Sequence, residues 1–226
     1  MLILFEDYHL LAVNKPAPLL TQAPPGVPSL EAQVKDYIKH KYTKPAGVYL
    51  GVPHRLDRPV SGAIVFARNT KAARRLAEQF QKHEVAKLYW AIVAGDVRPD
   101  EGTWEDWLLK HPAEARTEKV EPGTPGAKSA ALAYRVVRRS AEATVLELRP
   151  LTGRSHQIRV QAASRGHPVL GDALYGSTQP FGPPADQSRD RVIALHARSL
   201  ALRHPTTKEQ VSVTAPAPEW WDSCLV

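Results

Sequence analysis

The order in which two apolar rhythms succeed each other narrows the fold of this chain more than any other feature. Short apolar runs or two-residue alternation predict strands over residues 3–6, 10–14, 63–67, 88–93, 131–137, 143–148, 193–202 and 210–214. Helical spacing predicts helices only over residues 29–41, with Ser29 as N-cap, from Asn69 or Thr70 onward, and over residues 155–165, stopped by Gly166. Strands outnumber helices, and the order is not a βαβα alternation, which argues against a doubly wound parallel sheet. The class expected is α+β, with a mixed, mostly antiparallel β-sheet flanked by helices and loops. A chain of 226 residues is long enough to bury a sizeable core, and a single domain over residues 1–226 is the expectation.

In the second helix, Ala72, Ala73, Leu76, Ala77 and Phe80 form the expected apolar stripe, and Lys71, Arg74, Arg75, Gln79 and Lys82 are expected to face away. Residues 49–53 read as extended. Residues of about 96–128 are polar and rich in turn signals, with only residues 104–109 suited to burial, and read as a peripheral excursion. No run approaches the ~20 apolar residues of a membrane-spanning helix, and Glu6 and Asp7 come too early for a secretory signal, so a cytoplasmic protein without membrane partners is expected. The single cysteine, Cys224, excludes an internal disulfide and leaves no thiol cluster for a metal. The formal net charge of +7 favours a polyanionic partner.

The stretch with most chemical content is His54-Arg55-Leu56-Asp57-Arg58-Pro59-Val60-Ser61-Gly62, which sets one carboxylate between two guanidiniums on a bent loop. Neighbouring cations favour an ionised Asp57, suited to act as a nucleophile; a surface ion pair that fixes a turn explains the same residues. The nine histidines show no zinc-ligand spacing, no Gly-rich phosphate loop follows a strand, and Ser61 lies in no nucleophile-elbow motif. No cofactor or metal is expected.

HRLDRPVSG resembles the HRLDxxTSG motif of the RluA-type pseudouridine synthases, with Asp57 at the position of the family's nucleophile. Val13-Asn14-Lys15-Pro16 looks like the family's first motif, Lys87-Leu88-Tyr89-Trp90-Ala91 like its tyrosine segment, and TGRSHQIRV at residues 152–160, followed by GHPVLGDALYG, like its third. The resemblance covers most of residues 3–215 in the expected order. It implies the pseudouridine synthase fold with a central RNA-binding cleft, and an isomerase that breaks the glycosidic bond of selected uridines in structured ribosomal or transfer RNA and reattaches the base through carbon 5. Attack by Asp57 at carbon 6 of the base and at carbon 1′ of the ribose both remain open.

The same resemblance assigns Arg159 to pairing with the nucleophile, for which a planar fork is suited, and Tyr89 to lying on the target uracil. Arg55 matches the arginine that fills the place of the flipped nucleotide. Arg58, Lys15, Arg154 and His156 are candidates for positioning the motif loops or for touching RNA. Val60 departs from the family pattern, which has threonine there; the β-branched shape stays and a hydroxyl is lost. Because VNKP comes so early, no separate N-terminal RNA-binding domain is expected, and recognition would rest on the catalytic domain, as a monomer. A non-catalytic RNA-binding or RNA-chaperone module on the same fold is the alternative, and an RNA site has no use for a carboxylate that repels phosphates unless it does chemistry. A hydrolase would need a second acid or a metal at a recognisable spacing.

Overall fold

A computed structural model describes residues 1–43 and 47–221; Cys224 lies outside the described residues. The chain forms two compact units, Met1–Lys87 with Ala197–Ala217, and Leu88–His196 with the segment from Pro218 onward. Each unit is therefore assembled from two separate stretches of sequence.

In the first unit, β1 (Leu2–Glu6) pairs antiparallel with β2 (Leu10–Lys15), and β2 with β3 (Ser61–Ala67). Asp7 closes the β1–β2 turn by accepting from the amides of His9 and Leu10. Helix α1 (Leu30–Lys41) starts at Ser29, whose hydroxyl accepts from the Ala32 amide, and buries Leu30, Val34 and Ile38. Helix α2 (Thr70–Gln81) starts at Asn69, whose side chain accepts from the Ala72 amide. The core joins Leu10, Ala12, Ala63 and Val65 to Leu76, Leu200, Leu202 and Val213. Residues 49–53 are extended but form only a bridge, in which Gly51 and Ala67 exchange backbone hydrogen bonds of 2.8 and 2.9 Å.

Gln79 does not face away. It is buried, donates from Nε2 to the Arg203 carbonyl (2.8 Å) and accepts from the Arg203 amide (2.9 Å), completing the end of a strand as a neighbouring backbone would. Ala77, counted in the apolar stripe, is exposed instead.

Gly62 holds φ +121°, and a Cβ there would lie 2.3 Å from the Ala197 carbonyl oxygen and 2.6 Å from its amide nitrogen. Neither obstacle is a side chain that can swing aside. Gly62→Ala is expected to cost about 3 kcal/mol or more, read as a lowered midpoint in urea unfolding.

Glu6 ties the end of α1 to β1. Its carboxylate accepts from Lys41 Nζ (2.6 Å), Tyr37 (2.7 Å) and Tyr42 (2.7 Å). Burial pushes the Glu6 carboxyl up, but the Lys41, Tyr42 and Tyr37 hydrogen bonds outweigh it and bring it down from 4.5 to about 2. The unfolded chain therefore takes up this proton first. The cluster stabilises fully above pH 4.5 and loses its effect as pH falls through about 2. The stability gap between wild type and Glu6→Gln, measured by urea unfolding, is expected to close over that interval.

In the second unit the order is β4 (Ala86–Ala94, of which Leu88 onward belongs here), β8 (Ala143–Pro150), β7 (Lys128–Arg139), β5 (Glu101–His111) and β6 (Arg116–Val120), each antiparallel to the next. The predicted excursion at 96–128 is thus largely sheet. β5 pairs with β7 from Glu101 to Leu108, burying Trp104, Asp106 and Leu108 while Glu105 and Trp107 face out. Helix α3 (Gln157–Ala163) is shorter than expected, because His156 takes a left-handed conformation (φ 51°) just before it. It docks on β5 through Gln161, which donates to the Trp104 carbonyl and the Asp106 carboxylate. Strand β9 (Leu195–Arg203) carries the chain from the second unit back into the first, where it pairs with β10 (Gln210–Thr214). The class is α+β, as expected.

Candidate active site

Asp57 lies partly buried on the loop that leads into β3, between buried Leu56 and Val60. Leu56 is held from both sides by one hydroxyl: its amide donates to Thr21 Oγ1 (3.1 Å), and Thr21 Oγ1 donates to its carbonyl (2.8 Å). On the other side of Asp57, the Arg58 carbonyl accepts from Lys15 Nζ (3.2 Å) and from the Leu19 amide (3.1 Å). The Asp57 carbonyl itself accepts from the Val60 amide (3.1 Å). Three clamps thus fix the backbone around one carboxylate, a preorganised arrangement.

Lys15 is fully buried at the end of β2 and also donates to the carbonyls of Pro16 (3.1 Å) and Leu19 (2.6 Å). Burial pushes its ammonium down to about 7, with Asp57 pulling upward and Arg58 pushing further down. Of the two roles open to Lys15, phosphate contact and holding the loop, its burial favours the second. Arg55 is exposed on the same loop, and Arg58 is half-buried. His54 is occupied structurally: Nε2 accepts from the Val65 amide (3.0 Å), and the ring stacks on Phe80 at 4.4 Å. Burial, with the Lys87 charge, drives its imidazole down to about 3, so it is neutral at physiological pH.

In the second unit, Tyr89 stands half-buried on β4, opposite Leu148 of β8. The segment before α3 is organised by Gln157. Its Oε1 accepts from Thr152 Oγ1 (2.8 Å) and the Arg154 amide (2.9 Å), while its Nε2 donates to the Ala131 carbonyl (3.0 Å). Arg154 extends from this turn to donate to the Ser129 carbonyl. Arg159, on α3, is buried, with Nε and Nη2 donating to Asp172 at 2.6 and 2.8 Å and its guanidinium 4.9 Å from the centre of the Tyr175 ring. His156 Nδ1 lies 2.8 Å from the Tyr175 hydroxyl. Arg159 and His156 therefore meet at Tyr175.

Thr21, Gln157 and Asp172 were not singled out from sequence. Thr21 sits in a Pro-rich loop without a motif; Gln157 and Asp172 stand inside recognised motifs, where spacing alone gave no partner.

A family profile described as RNA pseudouridylate synthase matches residues 9–164. The chain is 34% identical over 224 residues to the dual-specificity RNA pseudouridine synthase RluA of Vibrio vulnificus, covering 98% of this chain and 85% of the relative. It is 36% identical over 220 residues to the RluA of Escherichia coli, covering 96% and 93%. Among solved structures, human RNA Pseudouridylate Synthase Domain Containing 1 superposes with a TM-score of 0.73 at 26% identity, over 100% of this chain and 86% of that one. Human RNA Pseudouridylate Synthase Domain Containing 4 shares the fold, with a TM-score of 0.79 at 24% identity, over 97% and 90%. The motif residues, the profile and the relatives agree: this chain belongs to the RluA-type family of RNA pseudouridine synthases.

Proposed function

We propose that the whole chain acts as one catalytic domain that isomerises specific uridines in structured ribosomal or transfer RNA, with Asp57 as nucleophile. The observation that carries this reading is the clamped backbone on both sides of Asp57, formed by Thr21 at Leu56 and by Lys15 at Arg58. A loop that served only as a surface turn has no need of two buried polar anchors. Tyr89 takes the place against the target base, Arg159 the partner of the nucleophile, and Arg55, exposed, the space left by the extruded nucleotide. Arg58, Arg154 and His156 support the RNA-facing loops. RNA substrates fit relatives named for ribosomal large-subunit modification, such as pseudouridine synthase C of Vibrio vulnificus, 30% identical.

Isomerisation must expel the hydrogen at carbon 5 of uracil. Tritium release from RNA labelled at that carbon, with ribosomal and transfer RNA pools taken from cells lacking the protein, tests the activity and the RNA class together. Release from one pool by the wild type is the expected result; binding to both pools without release would overturn the proposal in favour of an RNA-binding module.

Thr21→Val tests the clamp. It keeps the shape and removes both hydrogen bonds to Leu56, leaving a buried amide unpaired. The expected loss is about 1–3 kcal/mol of stability and about tenfold in kcat, measured by urea unfolding and tritium release.

A further inference from the structure

We propose that Asp172 is a positioning residue for Arg159, and that it sets the plane in which this guanidinium meets its catalytic partner. The proposal rests on the reading of Arg159 given above and adds the residue through which that arginine is aimed.

Asp172 grips Arg159 bidentately, through Nε and Nη2, with the two side chains only 2% and 6% exposed. A guanidinium carries five donors in one rigid plane, so a carboxylate on one edge fixes the direction of the other. The Tyr175 ring lies at 4.9 Å from the guanidinium and limits movement out of that plane. Tyr175 is itself held, its hydroxyl accepting from the Thr117 amide at 3.0 Å and lying 2.8 Å from His156 Nδ1.

The backbone presents both residues together. Asp172 opens a single 3-10 turn, Ala173–Tyr175, and its carbonyl accepts from the amides of Tyr175 (3.0 Å) and Ser177 (3.1 Å). Gly171 before it takes φ +82°, where a Cβ would meet the Val192 carbonyl at 2.6 Å. A buried ion pair is a poor device for stability alone, since apolar groups of the same volume often serve as well or better. Its use here is to fix direction.

The test compares Asp172→Glu, Arg159→Lys and the double variant, all of which keep the charges of the pair while changing its geometry. Steady-state kinetics by tritium release supply kcat and KM, and thermal unfolding confirms the fold. Asp172→Glu is expected to lower kcat about 10- to 100-fold, the scale of a misplacement near 1 Å, with KM for RNA within about threefold. In the Arg159→Lys background, where the planar fork is gone, the same change is expected to alter kcat by less than about twofold. Wild-type kcat in Asp172→Glu beside an impaired Arg159→Lys overturns the proposal and leaves the role of Arg159 standing. Equal losses in both backgrounds overturn it too, because Asp172 would then act by itself. Wild-type kcat in Arg159→Lys removes the reading of Arg159 and the proposal with it. Should the longer side chain prevent folding, Asp172→Asn, which fits the same space, is judged by the same criteria.

Discussion

Asp57→Asn is expected to remove tritium release, with kcat lowered about 10⁴-fold or more, because an amide of nearly the same shape is not a nucleophile. The loop that carries it should stay in place, since Thr21, Lys15 and Leu19 hydrogen-bond the backbone of Leu56 and Arg58. RNA affinity is expected to stay within a few fold and to move, if at all, toward tighter binding, because the substitution deletes a negative charge where phosphates approach. Filter binding beside single-turnover kinetics checks both. Turnover surviving in Asp57→Asn would remove the nucleophile assignment whatever the affinity.

The second large effect concerns Arg159. Arg159→Ala leaves the Asp172 carboxylate, 2% exposed, without its bidentate partner. Breaking a buried pair from one side costs about 3–5 kcal/mol, so the urea midpoint should fall well below that of the wild type. Turnover is expected to disappear as well. Arg159→Lys separates the two losses: it restores a positive charge and much of the stability but not the planar fork, so turnover should recover far less than folding. Full activity in either variant would break the assignment of the third motif.

How much of this was legible in the sequence depended on the range of the interactions. Helix α1 was read with its cap, and for α2 the cap was narrowed to Asn69 or Thr70, because Ser29 and Asn69 act on amides three residues away. Strands β2, β3 and β10 were read to within two residues, because a short apolar run or an alternation is a local signal. No strand was read in the segment at 96–128 because β5 has one buried face and one open face. The residues on the open face, among them Glu105 and the half-exposed Trp107, gave it the polar look of an excursion, and its pairing with β7 is a long-range fact. Gln79 was misread for a related reason: a polar residue on a helix looks solvated until a distant strand end, here Arg203, needs both its donor and its acceptor. The motif residues came from the family resemblance. Their supports, Thr21 at a distance of 35 positions and Asp172 at 13, are set by tertiary folding and leave no periodic mark.

The discontinuous first unit has a consequence for synthesis of the chain. All seven residues of β3 are buried in the finished protein, and the β9 residues of this unit, its next neighbour there, leave the ribosome about 130 residues later. At about 5–20 residues per second the wait is roughly 6–26 s. During that time the nascent chain carries an uncovered apolar edge at Ser61–Ala67, immediately after the Asp57 loop. This is the segment on which chaperones that bind extended apolar chain would act, and premature termination anywhere before Ala197 leaves that edge open and prone to pair with other chains.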